Sequence, residues 1–248
     1  MKNFILYTGY TSETGKKLKE ALNIPGGTEL SAKVDILVRW GSAHPVKYSA
    51  RVKTLNTKSV INMVTDKKLS LEIMGKSGFN TPEIYDSVDR ISNFPVLGRN
   101  RHHSAGRDIQ VFVSRDDMKR RYRDGTSDFF VEFIPSEKEY RIHVFNGEPI
   151  MCLEKRLPND SRVESPIYIR NLNNGWVFKE ISAPDGVTFL ARKVVELFGL
   201  DFGAVDILSS NGRLYPLEVN TAPTLGDDTI SLYVKRIKKI FNELNDEE

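Results

Sequence analysis

The chain has 248 residues, with 36 Lys and Arg against 33 Asp and Glu, giving a formal charge of +3. That length suits one compact enzyme or two to three small lobes, and so small a charge excludes a dedicated polyanion binder as the default reading. No apolar run reaches the roughly 18 residues of a membrane helix, and the amino terminus lacks a small-residue cleavage site. The single cysteine, Cys152, excludes an intramolecular disulfide and a multi-cysteine metal site. These features lead us to expect a soluble, cytoplasmic protein whose basic residues gather in the stretch 99–107.

The first 61 residues read as a small α/β unit. FILYTGY (4–10) is a short strand, and TSETGKKLKEAL is a helix with Thr11 or Ser12 as its cap. VDILVRWG (34–41) is a continuous apolar run, as in a strand buried on both faces. The pair Gly26-Gly27 follows Pro25 and reads as a turn. In a second unit, TDKKLSLEIMGKSGF reads as a helix ending at Gly78, since Pro82 forbids continuation. FPVLGR (94–99) and RDIQVFV (107–113) are strands around the loop NRHHSAG. SRDDMKRRYRDG is a charged helix capped by Ser114, and FFVEFI (129–134) is a strand. The third unit holds EYRIHVF-NG-EPIMCLEKR, two alternating strands about an Asn-Gly turn. VTFLARKVVELFGL follows, a helix with Val187, Leu190, Ala191, Val194 and Phe198 on one stripe. FGAVDIL and RLYPLEVN then flank Asn211-Gly212, and VKRIKKIFNELNDEE reads as a surface helix with a frayed acidic end.

The last strand pair carries the clearest chemistry. Strand side chains alternate, so Asp206, Glu218 and Asn220 interrupt two otherwise apolar strands. Sharing one face, they make an oxygen-rich site suited to Mg²⁺; the competing reading is an ordinary half-exposed hairpin. A two-residue turn would set Asp206 opposite Leu217, so facing Asp206 with Glu218 requires a three-residue loop or a bulge. The loop NRHHSAGRD offers Ser104, Ala105 and Gly106 for close backbone approach to phosphate, with charge from Arg99 and Arg107. A mobile basic hairpin tip fits it equally well. His102 and His103 are adjacent and do not read as zinc ligands. In the first strand pair, Glu139, Arg141 and His143 share a face. A simple Asn146-Gly147 turn pairs Arg141 with Cys152 and brings Glu154 and Arg156 onto that face. Two such arginines suit a carboxylate or a transferred phosphoryl group, whereas either one alone reads as surface ion pairing. Cys152 packs rather than reacts, lying amid Ile150, Met151 and Leu153.

Over about 62–241 the order of parts resembles the ATP-grasp superfamily, and most closely its ribosomal-protein glutamate ligases and related carboxylate–amine ligases. The pieces carrying the resemblance are DKKLSLEIMGKSGFNTP, FPVLGR, SAGRDI, VEFIPSEKEYRIHVFNGEPI, IRNL and, above all, FGLDFGAVDIL with LEVNTAPTL. The resemblance implies an α+β fold in which two lobes, 62–132 and 133–248, clamp ATP behind a small α/β front domain, 1–61. It implies that Asp206, Glu218 and Asn220 hold Mg²⁺ (with Mn²⁺ able to substitute) and that Lys67 contacts ATP. Arg99 stands where the family usually has a phosphate-binding lysine, which keeps the charge and changes the geometry. Glu132 and Phe133 match the hinge that contacts adenine, and Glu139 matches an acidic residue directed at the ribose. Ser104 and Gly106 fall in the phosphate loop, and Arg170 and Asn171 match residues near the phosphates and metal. Arg141 and Arg156 match arginines beside the reacting acyl phosphate.

The implied activity joins a carboxylate to an amine through an acyl phosphate, releasing ADP and phosphate. The amine acceptor is left open among an amino acid, a peptide, a protein or a modified base, and a homodimer could complete the cleft. The competing class is a nucleotide or nucleic-acid binding protein with a grasp fold and no ligase activity, favoured by the basic helix around Lys119, Arg120, Arg121 and Arg123. Four positive residues on one helix are, however, usually a solvated face. A third reading, a kinase-like transfer ending at a phosphate ester, is separable by whether free phosphate is released.

Overall fold

The computed structural model of the chain describes residues 2–9, 12–30, 33–102, 109–158, 168–170, 174–182 and 184–246. In chain order they form β1 (Asn3–Tyr7), α1 (Ser12–Leu22), β2 (Gly26–Gly27), β3 (Ile36–Trp40) and β4 (Lys53–Leu55). Next come α2 (Lys58–Thr65), α3 (Lys67–Lys76), β5 (Ile84–Tyr85), β6 (Val96–Arg99), β7 (Gln110–Phe112), α4 (Arg115–Arg121) and β8 (Phe129–Glu132). The chain ends with β9 (Lys138–Phe145), β10 (Glu148–Arg156), β11 (Val177–Glu180), α5 (Asp185–Phe198), β12 (Phe202–Ser210), β13 (Arg213–Asn220) and α6 (Asp227–Asp246). Three sheets result, ordered β2-β1-β3-β4, β5-β8-β6-β7 and β11-β10-β9-β12-β13. The first is parallel and the other two antiparallel, the mixed α+β content expected. Among the described residues no helix is long and apolar enough to cross a membrane.

In the front sheet, β3 is buried at every position. Ile36, Val38 and Trp40 point towards α6, and Leu37 lies with Phe4 and Leu6 on the other side. Two features differ from the sequence reading. Gly26-Gly27 is a short edge strand, with Ile5 paired to Gly26. A Cβ on Gly26 would fall 2.4 Å from Ile5 Cγ2, so only glycine permits that approach. Likewise, α6 is no surface helix. Ile230, Tyr233, Ile237, Ile240 and Phe241 form a buried stripe along it, a helical period hidden among lysines and acids.

Asn56 joins the front sheet to the rest. It adopts φ 58°, and its Nδ2 donates to Phe202 O at 2.9 Å while its Oδ1 accepts from Asp201 N at 2.9 Å. Its own N–H donates to Asp201 Oδ2 at 2.6 Å. From there Thr57 caps α2 by accepting from Val60 N. Asp66 closes α2 and caps α3, accepting from Leu69 N at 3.0 Å. This joint sets Lys67 at the first position of α3.

The third sheet positions the site. Its inner face carries Ile142, Val144, Val205, Ile207 and Val219, which pack on Val187, Ala191, Val194 and Phe198 of α5; Leu190 is only partly buried there. Because strand side chains alternate, the intervening residues point to the opposite face. There Phe145 and Phe202 stack at 5.6 Å under Tyr233 and Trp40, and beyond this aromatic lid the face turns polar.

Candidate functional site

The polar face is assembled by two strand irregularities. β12 and β13 meet through the two-residue turn Asn211-Gly212, with Ser210 opposite Arg213. That turn alone would set Asp206 against Leu217, but the register shifts after Pro216 and places Asp206 against Glu218. Of the two expected devices, the fold uses the bulge. Leu217 is the extra residue, beside a proline whose missing N–H cannot join a regular ladder. Asn220 lies two residues further along the same face.

The β9–β10 hairpin contains a second bulge, and it overturns one expectation. The register shifts between Pro149 and Met151, so Arg141 faces Leu153 and Glu139 faces Lys155. Cys152, Glu154 and Arg156 therefore point to the opposite side. Arg156 does not join Arg141; its half-exposed guanidinium pairs with Glu154 at 2.7 Å. Cys152 packs against the α5 core. The residue brought to the site face instead is Lys155, which the sequence reading missed. Its ammonium ion-pairs with Glu139, the side chains being 11% and 9% exposed.

Three carboxylates are thus ion-paired across the face. Lys155 meets Glu139. Arg141 grips Asp206 with both arms of its fork, Nε to Oδ1 and a terminal nitrogen to Oδ2, each at 2.7 Å. Lys67, reaching from α3, donates to Glu218 Oε2 at 2.6 Å, with Arg99 of β6 at 3.5 Å from the same oxygen. Asn220 Nδ2 donates to the other oxygen, Glu218 Oε1, at 3.2 Å. All four carboxylate oxygens of Asp206 and Glu218 therefore accept from a nitrogen donor.

The electrostatics follow from this pairing. Burial alone would raise the Glu218 carboxyl, but the charges of Lys67 and Arg99 hold it far below the usual carboxylate range. Burial pulls Arg141 down, and the Asp206 carboxylate, with Glu218 and Glu139 behind it, more than reverses this. Arg99 is lowered by burial against the opposing pull of Glu218. Glu139 is raised by burial, with Lys155 opposing. At the edge of the face His143 is fully buried, its Nδ1 3.2 Å from Tyr233 Oη. Burial, then the Arg141 charge, pushes it down to about 3, so it is neutral.

Residues read as the nucleotide side surround this row. The loop after β6 is tied to α3: Lys67 N donates to Arg101 O at 2.9 Å, and Arg101 pairs with Asp66 at 3.1 Å. Ser104 and Gly106, with His103, Ala105 and Arg107, lie outside the described residues, as does Asn171. Glu132 and Phe133 stand at the end of β8. Their backbone N–H groups donate within the fold, to Glu83 O at 2.9 Å and Pro95 O at 3.2 Å. The Phe133 ring meets Tyr168 at 4.8 Å. Arg170 donates to Ser136 O at 2.6 Å and lies 4.7 Å over Trp176.

Asp206, Glu218 and Asn220 offer two carboxylates and an amide oxygen from adjacent strands, which fits a hard cation. Among the described residues no group of three or more His, Cys, Asp or Glu could hold a metal by itself. Further oxygens would have to come from water and phosphate, so the set fits a metal–nucleotide complex. Two cations of the basic stretch are engaged locally: Arg121 of α4 bonds Asp117 and Val111 O at 3.0 Å each, and Arg123, just beyond it, bonds Arg120 O at 3.0 Å.

Comparison with known proteins bears on the family and the fold. The family model described as the RimK-like ATP-grasp domain matches residues 64–242. A coenzyme γ-F420-2:α-L-glutamate ligase of Methanococcus maripaludis is 26% identical over 186 residues, covering 68% of this chain. The matched stretch spans 62% of that relative's length. The D-alanine–D-alanine ligase of Bacillus anthracis complexed with ATP superposes with a TM-score of 0.69 at 14% identity, covering 99% of each chain. The ATP-grasp ligase PsnB, complexed with a variant of its minimal precursor, Mg and ADP, superposes at 0.64 and 12% identity, covering 91% of each chain. At such identities these two structures speak for the fold.

Proposed function

The chain belongs to the RimK-like ATP-grasp family, and from that premise we propose that it is an ATP- and Mg²⁺-dependent carboxylate–amine ligase. The observation that carries the reading is the row of ion pairs. It gathers a forked arginine and three oxygen donors on one sheet face with two cations suited to phosphate, Lys67 from α3 and Arg99 from β6, reaching over it. The segments 1–61, 62–132 and 133–248 are read as a front domain and the two lobes of an ATP clamp.

The chemistry asks the protein to position and to stabilise charge. A carboxylate oxygen of the substrate bonds to the γ-phosphorus of ATP as the bond to ADP breaks, giving an acyl phosphate. The amine nitrogen then bonds to the acyl carbon, phosphate leaves with the C–O electron pair, and the amine gives up a proton. Neither step needs a protein nucleophile. Lys67 and Arg99 would take the triphosphate oxygens. Arg141, rigidly held by Asp206, would face the charge that develops on the transferred group. Asp206, Glu218 and Asn220 would hold Mg²⁺, which, when bound, offsets negative charge on the phosphates. Glu139 is assigned to the ribose and the 132–133 hinge to adenine.

The relative named a glutamate ligase makes L-glutamate the first amine to test. The deciding assay screens carboxylate and amine pairs for release of both ADP and phosphate, with mass spectrometry of the product. A product heavier by an amide linkage supports the ligase. A product carrying the phosphoryl group, with no free phosphate, overturns it in favour of a kinase.

A further inference from the structure

Three carboxylates act on Arg141 from the same sheet face, Asp206, Glu218 and Glu139, and of these Glu218 is held by Lys67, Arg99 and Asn220. Asp206 is its cross-strand partner on β12, and Glu139 sits two residues before it on β9. A guanidinium fork satisfies one carboxylate at a time, and here both of its arms lie on Asp206. Something must therefore keep Glu139 from competing.

We infer that Lys155 is a positioning residue that keeps the Arg141 fork on Asp206 by holding Glu139 to itself. On β12 the neighbour of Glu139 is Leu208, and on β10 it is Lys155. Lys155 thus supplies the cross-strand charge that Glu139 meets. The ring of Phe178 backs both cations, its centroid 4.7 Å from the Arg141 guanidinium carbon and 5.4 Å from the Lys155 ammonium. That ring face favours both charges in place without offering either a second acceptor. Arg170, a further cation acting on Glu139, has its guanidinium on Ser136 O at 2.6 Å and over Trp176.

Without Lys155, a buried carboxylate would remain beside Arg141. A buried unpaired charge is strongly unfavourable, so Glu139 would either draw the fork away from Asp206 or take up a proton. In the first case the arginine turns along β9 and Asp206 is left open. Lys155 would act on chemistry only through this geometry, and its catalytic consequence rests on the ligase reading above.

A double-substitution cycle on the full chain tests this, using Lys155→Met, Glu139→Gln and both together. The first readout is the Arg141 Nε–H resonance in ¹⁵N–¹H spectra, assigned by its loss in Arg141→Lys. We expect the signal to shift or vanish in Lys155→Met, to persist in Lys155→Arg, and to return in the double variant, where the Glu139 carboxylate no longer competes. The second readout is ADP release: Lys155→Met should slow it by at least roughly tenfold in the natural background and by under about threefold in Glu139→Gln. An unchanged Arg141 signal in Lys155→Met, or equal losses in both backgrounds, overturns the inference. Should Lys155→Met fail to fold, Lys155→Gln takes its place in the cycle. If the unsubstituted chain releases no ADP with any substrate pair, the ligase reading fails while the spectra still decide the role of Lys155.

Discussion

Lys67 and Glu218 lie 151 residues apart in the chain and 2.6 Å apart in the fold. The lysine occupies the first position of α3, where the helix dipole disfavours a cation, and the carboxylate it meets compensates for that. With Arg99 and Asn220 on Glu218 and Arg141 on Asp206, every carboxylate oxygen of the donor set is already bonded. A triphosphate offers Lys67 and Arg99 other acceptors and so would release Glu218.

Metal and nucleotide binding should accordingly be coupled. Titration calorimetry should show Mn²⁺ binding at least roughly tenfold more tightly with ADP present than without it. Lys67→Met should raise Mn²⁺ affinity in the absence of nucleotide and lower ADP affinity. Equal Mn²⁺ affinity with and without ADP would show that the ion pairs do not guard the site.

The two arginines of the β9–β10 hairpin should behave differently. Removing one well-placed electrostatic group from such a site typically costs about 2.7–4 kcal/mol, or a 10²–10³-fold loss in kcat, and that is the expectation for Arg141→Ala. Arg156→Ala should cost far less, because its half-exposed guanidinium points away from the site face and pairs with Glu154. Steady-state kinetics on the two variants decides between them; equal losses would place Arg156 back at the site.

That contrast shows where the sequence was legible. Alternation and the Asn211-Gly212 turn together required a loop change or a bulge to face Asp206 with Glu218, and the fold supplies the bulge. At Asn146-Gly147 nothing in the sequence forces an Asp–Glu pairing, so a plain register puts Arg156 on the wrong face. The missed signal is Pro149. In both hairpins the shift comes immediately after a proline, Pro149 and Pro216, because a ring without an N–H interrupts the ladder. The buried stripe of α6 was hidden by the surrounding charges, and the Asn56 joint depends on contacts 145 residues away that no local pattern encodes.

His143 predicts an acid sensitivity. Its unfolded imidazole titrates near 6.5, while the native one is pushed down to about 3 by burial and the Arg141 charge. Between these values the unfolded chain binds the extra proton, so stability falls as pH falls, by about 1.4 kcal/mol per unit. Urea denaturation from pH 7 to 5 should show this slope, and His143→Gln should flatten it. An identical slope in the variant would mean that other groups carry the acid response.

Asn56 should matter for stability more than its place in a connection suggests. Asn56→Ala would leave the N–H of Asp201 without its side-chain acceptor, remove the donor to Phe202 O and place alanine at φ 58°. Together these should cost about 2–4 kcal/mol, read as a lower denaturation midpoint with little change in slope. A loss below about 0.5 kcal/mol would show that the joint bears little load.

The central claim is that one sheet face forms an amide at the expense of ATP. The most direct test measures ADP and phosphate release with L-glutamate and a panel of carboxylates, for the natural chain and for Glu218→Ala, with the fold of each checked by circular dichroism. The prediction is equimolar ADP and phosphate, dependent on both substrates, and none of either from folded Glu218→Ala. Unimpaired release by that variant would contradict it.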